Sequence, residues 1–328
     1  MEAIVSRRYG PPDEVLAPED VDPPVAGDDD VVVRVEASSV NPADWHLVRG
    51  EPRIARLQLG LRRPKQHVLG CDVAGRVDAV GRNVTTFHPG EEVFGSPFMQ
   101  GFGAFAELVR VPVGCVAPKP ARLSFEQAAA VPLAALTALQ GLRDHGRIEA
   151  GHRVLVVGAS GGVGTFAVPI ARSFDAEVTG VCSTRNVDLV RSLGADHVVD
   201  YTAGDITDPG SGGPYDLVLQ VAGATPASAL RRVLTPTGRL VQISGDGGGR
   251  WMGPVGRLVR SRLLSPFVGQ TITSFTVQPN AADLDHLAAL VEAGTVTPVI
   301  DRTYPRREVP GALRYLETGR AQGKVTIV

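Results

Sequence analysis

Several classes of protein are excluded by what the sequence lacks. Lys and Arg number 33 against 35 Asp and Glu, a formal net charge of −2. The two signs are interspersed, so no basic stripe for nucleic acid or an anionic membrane is present. Cysteine is rare: Cys71, Cys115 and Cys182 are widely spaced and no CxxC pair occurs. An odd, scattered set provides no disulfide framework and suits a reducing cytosol. Long apolar runs are missing too. The most apolar stretch, residues 128–142, is interrupted by Pro132, Thr137 and Gln140; it is too short to span a bilayer and reads as a buried helix. The first ten residues carry two arginines and a tyrosine but no signal-peptide core. A cytoplasmic protein is expected, with neither nucleic acid nor membrane as partner.

What is present points to two domains. The 328 residues exceed a typical domain of about 150, and 38 Gly with 25 Pro punctuate the chain as in a turn-rich globular protein. The first third is dense in short β-branched runs: residues 30–36, 72–80, 91–94 and 104–110. Val31, Val33 and Val35 alternate with Val32, Arg34 and Glu36, the pattern of a half-buried antiparallel strand. From Ser124 the texture changes. Ser124 followed by Gln127 forms a capping box before an Ala/Leu-rich helix. Apolar runs at 154–157, 177–181, 197–199, 216–220 and 240–243 then alternate with helix-compatible stretches such as 163–174 and 186–193. Repeating βαβ units of this kind predict a doubly wound parallel sheet. Residues 283–293 read as a further helix that Gly294 stops. The β-branched end, residues 324–328, is followed by no helix and is free to return to the first domain.

The run 154–157 passes directly into GASGGVG, residues 158–164, and then into a helix. Strand, glycine turn and helix in that order form a dinucleotide fingerprint. Gly161 lets the backbone approach a pyrophosphate, Gly164 allows close helix packing, and the N–H groups at the helix start favour the anion. Ala159 takes the place of the first fingerprint glycine, and Ser160, Gly162 and Val163 complete the cofactor turn. About 20 residues on, where an NAD site usually carries an acid, the sequence reads CSTRN, residues 182–186. Ser183 and Arg185 can donate to a 2′-phosphate there, with no carboxylate in the segment to repel it. NADPH is the expected cofactor.

At this point the sequence resembles the medium-chain dehydrogenase/reductase superfamily, in its zinc-independent quinone-oxidoreductase branch. The likeness runs through residues 9–12 (YGPP), 39–44 (SVNPAD), 70–75 (GCDVAG), 89–94 (PGEEVF), 103–107 (GAFAE), 130–138 (AVPLAALTA), 159–164 (ASGGVG), 193–196 (LGAD) and 323–325 (GKV). Individually weak, these motifs gain weight from their shared order. The resemblance implies a GroES-like β domain from both chain ends, residues 1–123 and 296–328, around a Rossmann domain, residues 124–295. It implies homodimers joined sheet edge to sheet edge near residues 274–277. Zinc-dependent relatives carry a cysteine ligand, a Gly-His-Glu motif and four clustered cysteines; this chain has Asn41 at the first place, Cys71 and Asp72 at the second, and no cluster. No metal is therefore expected.

The same resemblance implies the site. Asn41, as hydrogen-bond donor, and Asp44 would face nicotinamide and substrate; Asp44 has an equal reading as an Asx cap beside Pro42. Thr137 would lie beneath the nicotinamide phosphate or carboxamide, or back-bond within its helix. Tyr201 would pack near the adenosine end, with Val221, Ser244, Gly245, Phe275 and Val277 completing the cofactor site. Lys324 would approach cofactor phosphate or ribose, or merely close the fold. One departure is Gln220-Val-Ala-Gly223, where close relatives often have Asn-Val-Gly. Without a metal to polarise a simple carbonyl, the expected acceptor is a quinone or conjugated enone. A zinc-independent alcohol or aldehyde oxidoreductase and a non-enzymatic NADPH-binding regulator are the alternatives.

Overall fold

The computed structural model describes residues 1–208, 212–243 and 269–328. Ser244 and Gly245 of the expected cofactor site lie outside them. The chain forms two compact units, residues 1–136 with 278–328 and residues 137–277. The sequence boundaries at 123/124 and 295/296 differ from these. Helices Phe125–Ala129 and Ala281–Glu292 pack on strands of the first unit, so burial of their apolar sides assigns them there. Among the described residues no helix is long and apolar enough to cross a membrane.

The first unit is built on a seven-stranded sheet. Its path runs Ile300–Tyr304, Lys324–Ile327, Asp30–Val40, Asp72–Val80, Glu92–Gly95 and Val116–Pro118, with Leu108–Pro112 pairing on Asp30–Val40. The terminal strand does return: Lys324–Ile327 lies antiparallel to Asp30–Val40, with Val325 opposite Val40. Val31, Val33, Val73, Val77, Val93 and Val111 fill the core. Each such side chain contributes about 1.5–3 kcal/mol of burial, set against the entropy of ordering the chain. Val32 is buried as well, so this end of the strand is covered on both faces, beyond what the alternation indicated. The run 104–110 yields its strand only from Leu108 to Pro112.

Ser124 Oγ accepts from Gln127 N and Gln127 Oε1 from Ser124 N, both at 3.1 Å, closing the capping box. The apolar stretch after it is divided. Helix Phe125–Ala129 ends and Pro132–Gln140 begins anew, because Pro132 has no N–H to continue the first helix and is well placed to open the second.

The second unit holds a six-stranded sheet, parallel throughout, in the order His197–Asp200, Glu177–Cys182, Arg153–Val157, Tyr215–Gln220, Leu234–Gln242, Thr271–Ser274. From Arg153–Val157 the chain winds outward through two strands, then resumes on the opposite side with Tyr215–Gln220. The order therefore reverses between Arg153–Val157 and Tyr215–Gln220. At such a reversal the connections leave a crevice beyond the carboxyl ends of the strands, where open α/β sheets bind ligands.

Candidate functional site

At that reversal the strand Arg153–Val157 turns through Gly158 and enters helix Gly164–Ser173. Gly158 has φ +91°, a conformation an L side chain rarely takes. The N–H groups of Gly158 and Ala159 both donate to Val181 O, at 3.2 and 2.9 Å, and Gly161 N donates to Gly158 O at 3.1 Å. A Cβ on Gly164 would stand 2.1 Å from Gly158 O and 2.6 Å from Ala159 Cα, whereas one on Gly161 would meet, among the described residues, only Gly158 O at 3.6 Å. One glycine thus seats the helix against the turn, and the other leaves an open face. The backbone N–H groups of Gly162, Val163 and Gly164 find no backbone acceptor among the described residues. Open space and a helix start together fit the pyrophosphate of a dinucleotide.

A second turn lies alongside. Strand Glu177–Cys182 ends in the short helix Thr184–Asn186, and Asn186 Nδ2 donates to Ser160 Oγ at 2.8 Å, a buried contact. The fingerprint turn and the segment bearing Ser183 and Arg185 are therefore tied together; Ser183 is half-buried and Arg185 exposed. Tyr201 N donates to Cys182 O, and the Tyr201 ring is exposed. Val221 N donates to Val157 O at 3.0 Å, placing Val221 beside Gly158. Thr137 and Val277 are buried. Phe275 stacks on His145 with ring centroids 4.1 Å apart, a packing role that spacing did not reveal.

Gln220 accounts for the departure from Asn-Val-Gly. Its Nε2 donates to Gly223 O and Thr225 O, at 3.2 and 3.0 Å, and its Oε1 accepts from Gln242 Nε2 at 2.7 Å. The longer amide thus fixes the loop after the fourth strand from beneath.

The first unit gathers a different set of side chains. Strand Asp72–Val80 opens with Asp72 at the carboxyl end of the neighbouring strand Asp30–Val40, where Ser39 pairs with Asp72. The Asp72 carboxylate is fully buried. Its Oδ2 accepts from Ser39 Oγ at 2.6 Å, Asn41 Nδ2 at 2.8 Å and Lys324 Nζ at 3.3 Å, and its Oδ1 accepts from Leu133 N at 2.7 Å. Lys324 Nζ also donates to Asn41 Oδ1 at 2.6 Å. Asn41, 4% exposed, is thus engaged through both ends of its amide. The Lys324 ammonium thus ties the strand Lys324–Ile327 to Asn41 and Asp72, the contacts that fold closure asks of it. Asp72, the centre of the network, was missed as a site residue; an acid opening an apolar strand at GCDVAG was its only sequence signal.

Asp44 also takes the capping role. Helix Pro42–Arg49 starts after Asn41, and Asp44 Oδ2 accepts from Asn41 N at 2.8 Å, while Asp44 Oδ1 accepts from Cys71 Sγ at 3.1 Å. Both oxygens are occupied and the side chain is fully buried, so Asp44 holds the Asn41 backbone. Burial raises its carboxyl from 3.8 to about 6, against the lowering effect of the Cys71 and Asn41 hydrogen bonds. A carboxyl raised on folding contributes stability that is complete below about pH 4 and is lost as pH climbs through about 6. The difference from 3.8 to about 6 corresponds to about 3 kcal/mol. Asp44→Asn should therefore gain on the wild type by up to that amount between pH 4 and 7; urea unfolding of both proteins at unit pH steps checks it, and a pH-independent difference would contradict it.

The same cluster tests the fit of zinc. A zinc site needs deprotonated donors, above all thiolate. Burial, followed by the neighbouring Asp44 charge, pushes the Cys71 thiol well above its ordinary value, and its hydrogen is given to Asp44. An ammonium already lies against Asn41 and Asp72. These groups do not fit a zinc ion.

A GroES-like sheet unit and a parallel, fingerprint-bearing unit that fits a dinucleotide define an oxidoreductase of the nicotinamide-dependent kind. Comparison with known proteins specifies it further. The zinc-binding dehydrogenase family matches residues 193–327 and the alcohol dehydrogenase GroES-like domain matches residues 27–121. The mitochondrial NAD(P)H oxidoreductase RTN4IP1 of Bos taurus is 36% identical over 326 residues, covering 91% of this chain and 81% of that protein. The chloroplast envelope quinone oxidoreductase homolog of Arabidopsis thaliana is 31% identical, covering 100% and 98%. The solved quinone oxidoreductase of Coxiella burnetii superposes with a TM-score of 0.87 at 28% identity, covering 100% and 98%. The chain belongs to the medium-chain dehydrogenase/reductase superfamily, in its quinone-oxidoreductase branch.

Proposed function

We propose that this protein uses NADPH to reduce a quinone or an α,β-unsaturated carbonyl, without zinc. The observation that carries the reading is the Asn186–Ser160 contact of 2.8 Å, which sets Ser183 and Arg185 beside the pyrophosphate turn. In this reading Gly162, Val163 and Gly164 bind the pyrophosphate through their N–H groups, and Ser183 and the exposed guanidinium of Arg185 bind the 2′-phosphate. When bound, the cofactor supplies the hydride. A quinone or enone spreads the resulting negative charge onto oxygen, so no metal is asked to polarise it. Asn41 retains one amide hydrogen beyond that given to Asp72 and serves as donor to the acceptor's oxygen. Support for zinc independence comes from the Lys324 ammonium and the protonated Cys71. Pairing of two copies near residues 274–277 belongs to the same reading, although the strand itself is Thr271–Ser274 and stops at the start of that segment; it is outermost among the described strands of its sheet.

The test is oxidation of NADPH and of NADH, followed by absorbance, with an ortho-quinone, a conjugated enone and a simple aldehyde in turn. Turnover of quinone or enone with NADPH preferred is expected. Arg185→Ala should raise KM for NADPH about tenfold and leave NADH nearly unchanged, the loss of one charge-assisted contact. Tight cofactor binding with no turnover would instead favour a regulatory binding protein, and aldehyde turnover alone an alcohol dehydrogenase.

A further inference from the structure

Residues 182–186 contain no acid. The fold brings one in from the next strand. Asp200 ends strand His197–Asp200, which runs parallel to Glu177–Cys182 with Asp200 opposite Cys182. Its carboxylate therefore arrives at the carboxyl edge of the sheet beside the turn that carries Ser183 and Arg185. An acid at this edge would, taken alone, suggest a ribose-hydroxyl acceptor of the NAD type.

The hydrogen bonds indicate otherwise. Asp200 Oδ2 accepts from Thr184 Oγ1 at 2.6 Å, and Asp200 Oδ1 accepts from Thr202 Oγ1 at 2.6 Å and Thr202 N at 2.9 Å. The two threonine hydroxyls lie 2.8 Å apart. Both carboxylate oxygens thus accept from the protein, and one of them holds Thr184. With Asn186 tied to Ser160 Oγ, the short helix Thr184–Asn186 is anchored at both ends, and Arg185 is the residue between the anchors.

We propose that Asp200 is a positioning residue for cofactor choice: through Thr184 and Thr202 it orders the Ser183–Arg185 turn for a 2′-phosphate and does not itself take a ribose hydroxyl. This rests on the NADPH reading above. The hydrogen bonds from Thr184 and Thr202 hold the Asp200 carboxyl below its ordinary range, so it stays ionised near neutrality, with its charge turned into the threonine cluster. Thr184 and Asp200 are separated by 16 residues, and only the parallel register brings them together.

The experiment measures binding of 2′,5′-ADP and 5′-AMP to the full chain by calorimetry, with thermal melting as the check on folding. Asp200→Ala should weaken 2′,5′-ADP about tenfold and 5′-AMP less than about threefold, because only the 2′-phosphate needs the ordered turn. Thr184→Val should follow it. Asp200→Asn, which keeps an acceptor and adds a donor for the same hydroxyls, should stay within about twofold of wild type. If Asp200→Ala weakens 5′-AMP as much as 2′,5′-ADP, or if Asp200→Asn tightens 2′,5′-ADP markedly, the carboxylate acts on the ribose or by charge and the proposal fails. Equal binding of the two nucleotides by the wild-type chain sinks the NADPH reading and the proposal with it; retained discrimination with an unaffected Asp200→Ala sinks the proposal alone.

Discussion

Lys324→Met is expected to cost about 3–5 kcal/mol of unfolding free energy, the usual penalty for leaving one partner of a buried ion pair unpaired. Lys324 is 3% exposed and Asp72 is fully buried, so water cannot replace the ammonium cheaply. Ser39, Asn41 and Leu133 would still donate to the carboxylate, but three neutral donors offset only part of a desolvated charge. A rescue distinguishes the loss of charge from the loss of packing. In Lys324→Met/Asp72→Asn the carboxamide introduced at 72 can donate toward the Asn41 oxygen that Lys324 vacates, and more than half of the lost stability should return. Urea midpoints of the four proteins in that cycle provide the measurement. Additive losses, with no recovery in the double variant, would mean the pair carries little coupling.

The second large effect separates two glycines only three positions apart. Gly161→Ala should leave unfolding within about 0.5 kcal/mol of wild type and weaken the dinucleotide about a hundredfold, equivalent to about 2.7 kcal/mol. Its methyl group would meet Gly158 O at 3.6 Å, an ordinary contact, and no other atom of the described residues, on the face where the turn would let a pyrophosphate approach. Gly164→Ala should lose both properties. A methyl group 2.1 Å from Gly158 O forces the helix start off the turn, and overpacking of this kind costs about 1–3 kcal/mol. Thermal melts together with fluorescence titration of NADPH read both quantities in each variant. A Gly161→Ala protein that binds NADPH normally would show that the open face is not the phosphate site.

The parts of this structure legible in the sequence are those whose determinants are close together in the chain. Ser124 and Gln127 cap a helix because they are neighbours on its first turn. The strand, turn and helix around Gly158 are similarly local, and the family motifs added the return of residues 324–328 to the first unit. What escaped was set by register or by distance. Asp72 meets Asn41, Leu133 and Lys324, separated from it by 31, 61 and 252 residues, and no local pattern marks a carboxylate that three such segments will surround. Asp200 lies beyond Cys182–Asn186 in sequence and becomes adjacent only through parallel pairing, so no local pattern tied it to that turn. Asp44 was legible as a cap or as a site residue with equal weight; its hydrogen bonds to Asn41 N and Cys71 Sγ show the cap. Val32 looked half-exposed by alternation, which registers one face of a strand and is silent about what covers the other.

The route of the chain through its two units also sets an order of events during synthesis. Residues 137–277 form one compact unit, while the other joins residues 1–136 to residues 278–328. Asp72 is translated 252 residues before Lys324, so the first unit must wait, with an uncompensated carboxylate and an unfilled sheet position, until residue 324 has been made. The middle unit has all its strands available earlier, and domains emerging from the ribosome fold as units. On that order the parallel sheet of the middle unit can form before Lys324 brings its cation to Asp72 in the other unit.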